Sequence, residues 1–220
     1  MMNHIQLVIF DLDGTLLDTL SDLALSVNYG LEKCGFPTHS IEAYKKFVGN
    51  GINMLLARAL PENQKTEQNI ALLGNHCIPY YDEHNTDYTK PYKGIPELLK
   101  ILISSELKLA VASNKYHAAT EKLIGRLFPD ISFAAVLGQR EGIPAKPDPT
   151  IVHEILRITD LSAANVVYVG DSGVDMQTAS NSGILSIGVT WGFRPREELE
   201  NAGANFIADT PNEIFEFIRR

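Results

Sequence analysis

The chain is poor in cysteine, in tryptophan and in basic residues, and it contains no long apolar run. Two cysteines, Cys34 and Cys77, exclude a disulfide-built scaffold and lack the paired spacing of a zinc site. Free thiols in a reducing cytoplasm are therefore expected. Lysine and arginine number 19 against 27 aspartates and glutamates, a formal charge of -8 over 220 residues. A broadly acidic surface repels nucleic acids and anionic membranes, so neither is expected as a partner. No apolar stretch approaches the ~20 residues that span a bilayer. Nothing near Met1 resembles a signal peptide, because the first strand is expected within a few residues of it. The six histidines, His76, His84 and His117 among them, show no paired metal-ligand spacing, and there is no internal repeat or low-complexity tract.

What is present begins with Val8-Ile9-Phe10-Asp11-Leu12-Asp13-Gly14-Thr15-Leu16-Leu17-Asp18-Thr19. Residues 7–10 have the length and β-branched character of a strand buried on both faces, and Gly14 permits a turn conformation closed to other residues. Asp11 then lies at a strand's carboxyl end, the edge where open parallel α/β sheets bind ligands. The plain alternative is a loop in which Asp and Gly only make a turn. Further strands are expected at 107–112, 133–137, 166–170, 184–188 and 205–208, separated by amphipathic segments, the pattern of a parallel sheet with crossover helices.

Between the first strand and residue 88 the period is helical. Leu20, Leu23, Ala24, Val27 and Leu31 share one face, as do Ile52, Leu55, Leu56, Ala59 and Leu60. Ile70, Leu73, Cys77, Tyr80, Tyr81 and His84 keep the spacing across Pro79, which should kink or split that helix. Residues 16–88 therefore read as an all-helical insertion, and Pro91, Gly94 and Pro96 mark the return.

Asp-Leu-Asp-Gly-Thr after an apolar strand resembles the first motif of the haloacid dehalogenase-like superfamily, and three further motifs follow in order. Ser113-Asn114 ends a strand-like run, Lys146 sits in Ala145-Lys146-Pro147-Asp148-Pro149, and Gly170-Asp171-Ser172-Gly173-Val174-Asp175 follows another strand. The resemblance implies a Rossmann-like core formed by residues 1–15 and 89–220. A helical cap over 16–88 would hinge at 15–19 and 88–93. It implies Asp11 as nucleophile and Asp13 as general acid/base. Lys146 would be the catalytic cation and Ser113 and Asn114 phosphoryl ligands. The metal would be held by Asp11, Asp171 and the main-chain carbonyl of Asp13, with Asp175 behind them, through water or by orienting Lys146. Three carboxylates and a phosphate dianion repel one another, and Lys146 with a divalent cation relieves that repulsion; an all-oxygen donor set suits Mg2+. Each residue also has a plainer role. Ser113 could cap a helix over 114–124, Lys146 could be a solvated lysine, and Asp171 and Asp175 could form a helix N-terminus. Arg140 and Lys115 are expected at the surface.

In the cap, Val48-Gly49-Asn50-Gly51 and Arg58-Ala59-Leu60 resemble the loop and helix of phosphoglycolate phosphatases. Gly49 and Asn50 would bring backbone amides to a small anionic substrate, and Arg58 would meet its carboxylate. An ordinary interhelical turn and a structural arginine are the alternatives. A dehalogenase lacks a second aspartate such as Asp13, and a phosphonatase needs a lysine absent from 50–56. The expectation is a magnesium-dependent phosphatase acting on a small phosphorylated metabolite, foremost 2-phosphoglycolate. A β-phosphoglucomutase-like mutase, a pyrophosphatase and a non-catalytic phosphometabolite-binding module are the alternatives. A monomer or a weak homodimer is expected.

Overall fold

The structure is a computed structural model that describes residues 5–219, so expectations for residues 1–4 and 220 lie outside the described residues. Six parallel strands form its sheet: β1 (Leu7–Phe10), β4 (Lys108–Tyr116), β5 (Ala135–Gln139), β6 (Val166–Gly170), β7 (Leu185–Val189) and β8 (Phe206–Ala208). Their spatial order is β5-β4-β1-β6-β7-β8. Every residue of β1 is buried, as its aliphatic run requires when a strand has helices on both faces. The strand order reverses at β1, between β4 and β6, which makes the end of β1 the crevice of the sheet. Two apolar layers cover the sheet. One is built on Val8, Phe10, Val111 and Val169, the other on Leu7, Ile9, Ala110 and Tyr168.

A two-residue antiparallel ribbon, β2 (Leu17–Asp18) with β3 (Lys90–Pro91), brackets the helical segment. That segment contains α1 (Leu20–Lys33), α2 (Tyr44–Phe47), α3 (Ile52–Ala59) and α4 (Glu67–His84). Their apolar faces meet in a separate core of Leu23, Val27, Leu31, Leu56, Leu73 and Cys77. Gly30 lets α1 and α4 approach, because a Cβ there would stand 2.8 Å from Leu73. The ribbon is fixed by Asp22, a buried carboxylate that accepts from Thr89 N at 2.8 Å, Thr89 Oγ1 at 2.7 Å and Tyr88 N at 3.1 Å.

The remaining helices are α5 (Ile95–Ser104), α6 (His117–Leu127), α7 (Thr150–Thr159), α8 (Gly173–Asn181), α9 (Arg196–Asn201) and α10 (Pro211–Ile218). No described helix is long and apolar enough to cross a membrane.

Of the two outcomes expected at Pro79, a kink or a split, the split does not occur: α4 runs through it from Glu67 to His84. Two sequence expectations need correction. The helix expected from residue 114 begins at His117, because β4 continues to Tyr116 and pairs with Gln139. That pairing depends on Gly138, where a Cβ would stand 2.6 Å from the carbonyl of Lys115. Ser113 consequently lies in a strand and caps no helix.

Candidate active site

The carboxyl ends of β1 and β6 deliver Asp11 and Asp171 to one crevice, Ser113 joins them from within β4, and the loop before α7 adds Lys146. Gly14 turns the chain after Asp13 at φ +85°, a left-handed conformation that favours glycine. A second reason for glycine is space, since a Cβ at residue 14 would stand 2.3 Å from Asp171 Oδ2. Gly192 has the same closeness on the other side, with a Cβ position 2.4 Å from that oxygen.

Asp11 and Asp13 are one residue apart yet have different partners. Lys146 Nζ stands 2.9 Å from Asp11 Oδ1, a charge contact without hydrogen-bond geometry, so this buried oxygen has no hydrogen bond. The same ammonium donates to Asp175 Oδ1 at 2.7 Å, Tyr168 Oη at 2.8 Å and the Ala112 carbonyl at 3.0 Å. Asp13 instead accepts from Thr19 Oγ1 at 2.7 Å and pairs with Lys115 Nζ at 3.0 Å. The expectation of a surface Lys115 is thereby overturned: its side chain is 3% exposed, drawn inward by Asp13 and laid over the Tyr81 ring, 4.8 Å from the centroid. Arg140 stays at the surface as expected, partly exposed and held by Glu154 at 2.5 Å and 3.0 Å.

Asp175 does two things at once. With Ser172 it forms the capping box of α8, accepting from Ser172 N at 3.1 Å and Oγ at 2.6 Å through Oδ2, while Oδ1 holds Lys146. Asp171 Oδ2 accepts from Phe193 N at 2.6 Å. Oxygens of Asp11, Asp171 and Asp175 all lie within 4.8 Å of one another, and all three residues are buried. Burial raises the Asp11 carboxyl above its usual range; Lys146 opposes this, while Asp175 and Asp13 add to it. Asp171 is raised by burial and then by Asp175 and Asp11, against the pull of the Phe193 amide. For the two lysines, burial pushes the pKa down but the facing carboxylates outweigh it, so Lys146 and Lys115 both stand above the ordinary lysine value. Three buried carboxylates crowded in this way fit a hard divalent cation, for which carboxylate oxygens are the ordinary ligands.

The helical segment roofs this crevice. Val48, Gly49, Gly51, Ile52 and Leu55 line the pocket together with Asp11 and Asp13. Asn114 ties roof to floor, donating to the Gly49 carbonyl and the Lys146 carbonyl, each at 3.1 Å, and accepting from Lys146 N at 2.8 Å. Arg194 adds a second tie to the Val48 carbonyl at 2.6 Å. Arg58 is turned to the loop itself, donating to Phe47 O at 2.9 Å and Asn50 Oδ1 at 2.7 Å, and it is not among the pocket-lining residues. Asn50 likewise serves as acceptor for Arg58, while Gly49 and Gly51 face the pocket.

Sequence reasoning missed Lys115, Tyr81, Tyr168 and the Phe193 amide. Tyr168 left a signal, a lone phenol within the aliphatic Val166–Gly170 run. Lys115 and Tyr81 left none, since their meeting depends on how α4 lies over β4.

The model of the haloacid dehalogenase-like hydrolases matches residues 8–189, and the chain belongs to that family. Its relatives make it a phosphoric monoester hydrolase: it is 30% identical to a phosphoglycolate phosphatase of Vibrio cholerae over 99% of this chain and 98% of that one. It is 33% identical to a phosphoglycolate phosphatase of Neisseria meningitidis, covering 87% and 83% of the two chains. Among solved structures, a Lactobacillus delbrueckii subsp. bulgaricus protein provisionally named a phosphoglycolate phosphatase superposes with a TM-score of 0.92 at 34% identity, covering 98% of this chain and 99% of that one.

Proposed function

We propose that this protein is a magnesium-dependent phosphatase that hydrolyses 2-phosphoglycolate through an aspartyl-phosphate on Asp11. The observation that carries the reading is the division of partners between the two aspartates of one turn. Asp11 is held against Lys146 and the acidic cluster, while Asp13 is set on the pocket side between Thr19 and Lys115.

Asp11 forms a bond to phosphorus as the ester oxygen departs, and Asp13 protonates that oxygen so that it leaves as an alcohol. Asp13 then removes a proton from the water that attacks phosphorus, releasing phosphate and restoring the Asp11 carboxylate. Ser113 and the Asn114 region face the phosphoryl oxygens, and Lys146 offsets their charge. Asp11, Asp171 and the Asp13 carbonyl would hold Mg2+, which supplies further charge neutralisation when bound. Asp175 acts through Lys146.

We take residues 16–88 as the cap and 1–15 with 89–220 as the core. The cap contributes Leu23, Val48, Ile52 and Leu55 to the pocket, an apolar roof that excludes water and favours a small leaving group. It contributes no lysine or arginine to the described lining, which disfavours a mutase that must hold a second phosphate. The phosphoglycolate phosphatases among its relatives favour 2-phosphoglycolate over pyrophosphate or a sugar phosphate. Free thiols at Cys34 and Cys77 are in keeping with a cytoplasmic enzyme.

The test is phosphate release with and without magnesium across 2-phosphoglycolate, pyrophosphate and β-glucose 1-phosphate. A magnesium-dependent preference for 2-phosphoglycolate, abolished by Asp11→Asn, is expected. Turnover by Asp11→Asn removes the covalent mechanism, and a preference for another ester removes the substrate.

A further inference from the structure

One buried cation in the pocket flanks Asp13 but is given no group of the substrate to bind by the chemistry above. The ammonium of Lys146 is fully engaged by Asp11, Asp175, Tyr168 and the Ala112 carbonyl. Lys115 is different. Among the described residues lining the pocket it is the only cation, its side chain is 3% exposed, and its one carboxylate partner is Asp13 Oδ2 at 3.0 Å. An ammonium carries three donors, so one carboxylate contact and the nearby Tyr81 hydroxyl do not exhaust it, and the residue lines the pocket.

Facing Lys115 is Tyr81 of α4, whose buried hydroxyl lies close to the Lys115 ammonium but makes no well-formed hydrogen bond. A buried polar atom without one is uncommon enough to need a reason. Here an unmatched hydroxyl and an under-engaged ammonium flank the same cavity, both able to donate to one acceptor. Position says which part of the substrate that acceptor belongs to. Asp13 borders the ester oxygen that departs, so a group reaching Lys115 past Asp13 lies on the leaving portion rather than on the phosphoryl group.

We infer that Lys115 and Tyr81 together form the subsite for a carboxylate on the leaving portion of the substrate. The inference rests on the 2-phosphoglycolate reading and assigns its carboxylate to this pair instead of Arg58, whose guanidinium is engaged by Phe47 and Asn50. Because Lys115 comes from β4 and Tyr81 from α4, the subsite is complete only when the helical segment lies over the sheet as it does here. Neighbouring contacts hold that arrangement: Tyr116 Oη donates to Asp82 Oδ1 at 2.5 Å, and Lys122 Nζ donates to the Asp82 carbonyl.

The experiment compares kcat/KM for 2-phosphoglycolate with kcat/KM for 2-hydroxyethyl phosphate, which has the same two-carbon leaving portion without the carboxylate. The ratio cancels any loss of acid catalysis through Asp13 and any inactive fraction of a variant. Lys115→Met should lower the wild-type ratio by about 10–100-fold, the range for one charge-assisted hydrogen bond, and Tyr81→Phe by about 3–10-fold. Lys115→Arg should retain most of it. A high wild-type ratio left unchanged by Lys115→Met overturns the subsite while leaving the substrate reading intact. A wild-type ratio near one overturns the substrate reading itself, and the subsite with it.

Discussion

Replacing Lys146 by methionine tests whether the acidic cluster is held together by that single ammonium. Lys146 Nζ lies 2.7 Å from Asp175 and 2.9 Å from Asp11, and the lysine and Asp175 side chains are 2% and 1% exposed. At an effective dielectric constant of about 20, each contact corresponds to roughly 6 kcal/mol of attraction, most of it offset by desolvation of the charges. Methionine preserves the stem's volume but leaves Asp175 and the ionised fractions of Asp11 and Asp171 within 4.8 Å of one another without a counter-charge. Removing one partner of a buried pair costs about 3–5 kcal/mol. For a chain of this size that lowers the thermal midpoint by about 10 °C.

The assay is unfolding of the metal-free protein at pH 7, for wild type, Lys146→Met, Asp175→Asn and the double variant. Asparagine at 175 can keep part of the Ser172 capping interaction, so the cycle isolates the ionic contact. The double variant should lose less than the sum of the single losses, by about 1–3 kcal/mol. A Lys146→Met midpoint within about 2 °C of wild type, or an additive cycle, would refute the argument that this lysine offsets the cluster's repulsion.

Burial raises Asp11 from 3.8 to about 7. A folded chain that keeps a proton the unfolded chain releases loses stability as the pH rises across that window, so Asp11→Asn should gain on the metal-free wild type between about pH 4 and pH 7. A constant difference in unfolding free energy over that range would contradict the raised value. Magnesium at pH 7.5 should raise the wild-type thermal midpoint by mass action and leave an Asp171→Asn variant little changed; equal shifts in both would move the cation elsewhere. Gly14→Ala forces a side chain to φ +85° and to 2.3 Å from Asp171 Oδ2, so it should reduce kcat at least about 100-fold, and near-wild-type turnover would show that Asp171 can shift freely. Pro79→Ala, at an exposed position inside α4, should stabilise by about 1–3 kcal/mol in urea unfolding by restoring the bond to the Asn75 carbonyl, and no gain would mean that the helix already compensates for the proline.

The sheet was legible because each signal is local. Leu7–Phe10 is a strand within four residues of apolar sequence, and Gly14 has the positive φ that its place after two aspartates suggests. Val166–Gly170 begins and ends where its composition does. The helix faces of the insertion were equally legible, since 3.6-residue spacing decides burial at Leu23, Val27, Leu31, Leu55 and Leu56 whatever they pack against. Pro79 did not split its helix, because the perturbation at one residue is smaller than the packing of Leu73, Cys77 and Tyr81 on the same helix.

What stayed hidden is the set of contacts made between the sheet and its helical roof. Asn114 meets Gly49 across 65 residues and Arg194 meets Val48 across 146, and nothing near any of the four announces a partner. Lys115 is the sharpest case, because the residues that suggested a helix start there, short and polar, are the ones that carry β4 on to Tyr116, opposite Gln139, and its lysine inward to Asp13. Motifs that handle phosphate are fixed by the chemistry of phosphate and recur at short spacing. The groups that select a leaving portion are fixed by where α4 comes to rest over β4, and that depends on the shape of the whole insertion. Specificity in such a chain therefore has to be sought at the contacts that close the roof, where Tyr81 and Lys115 meet.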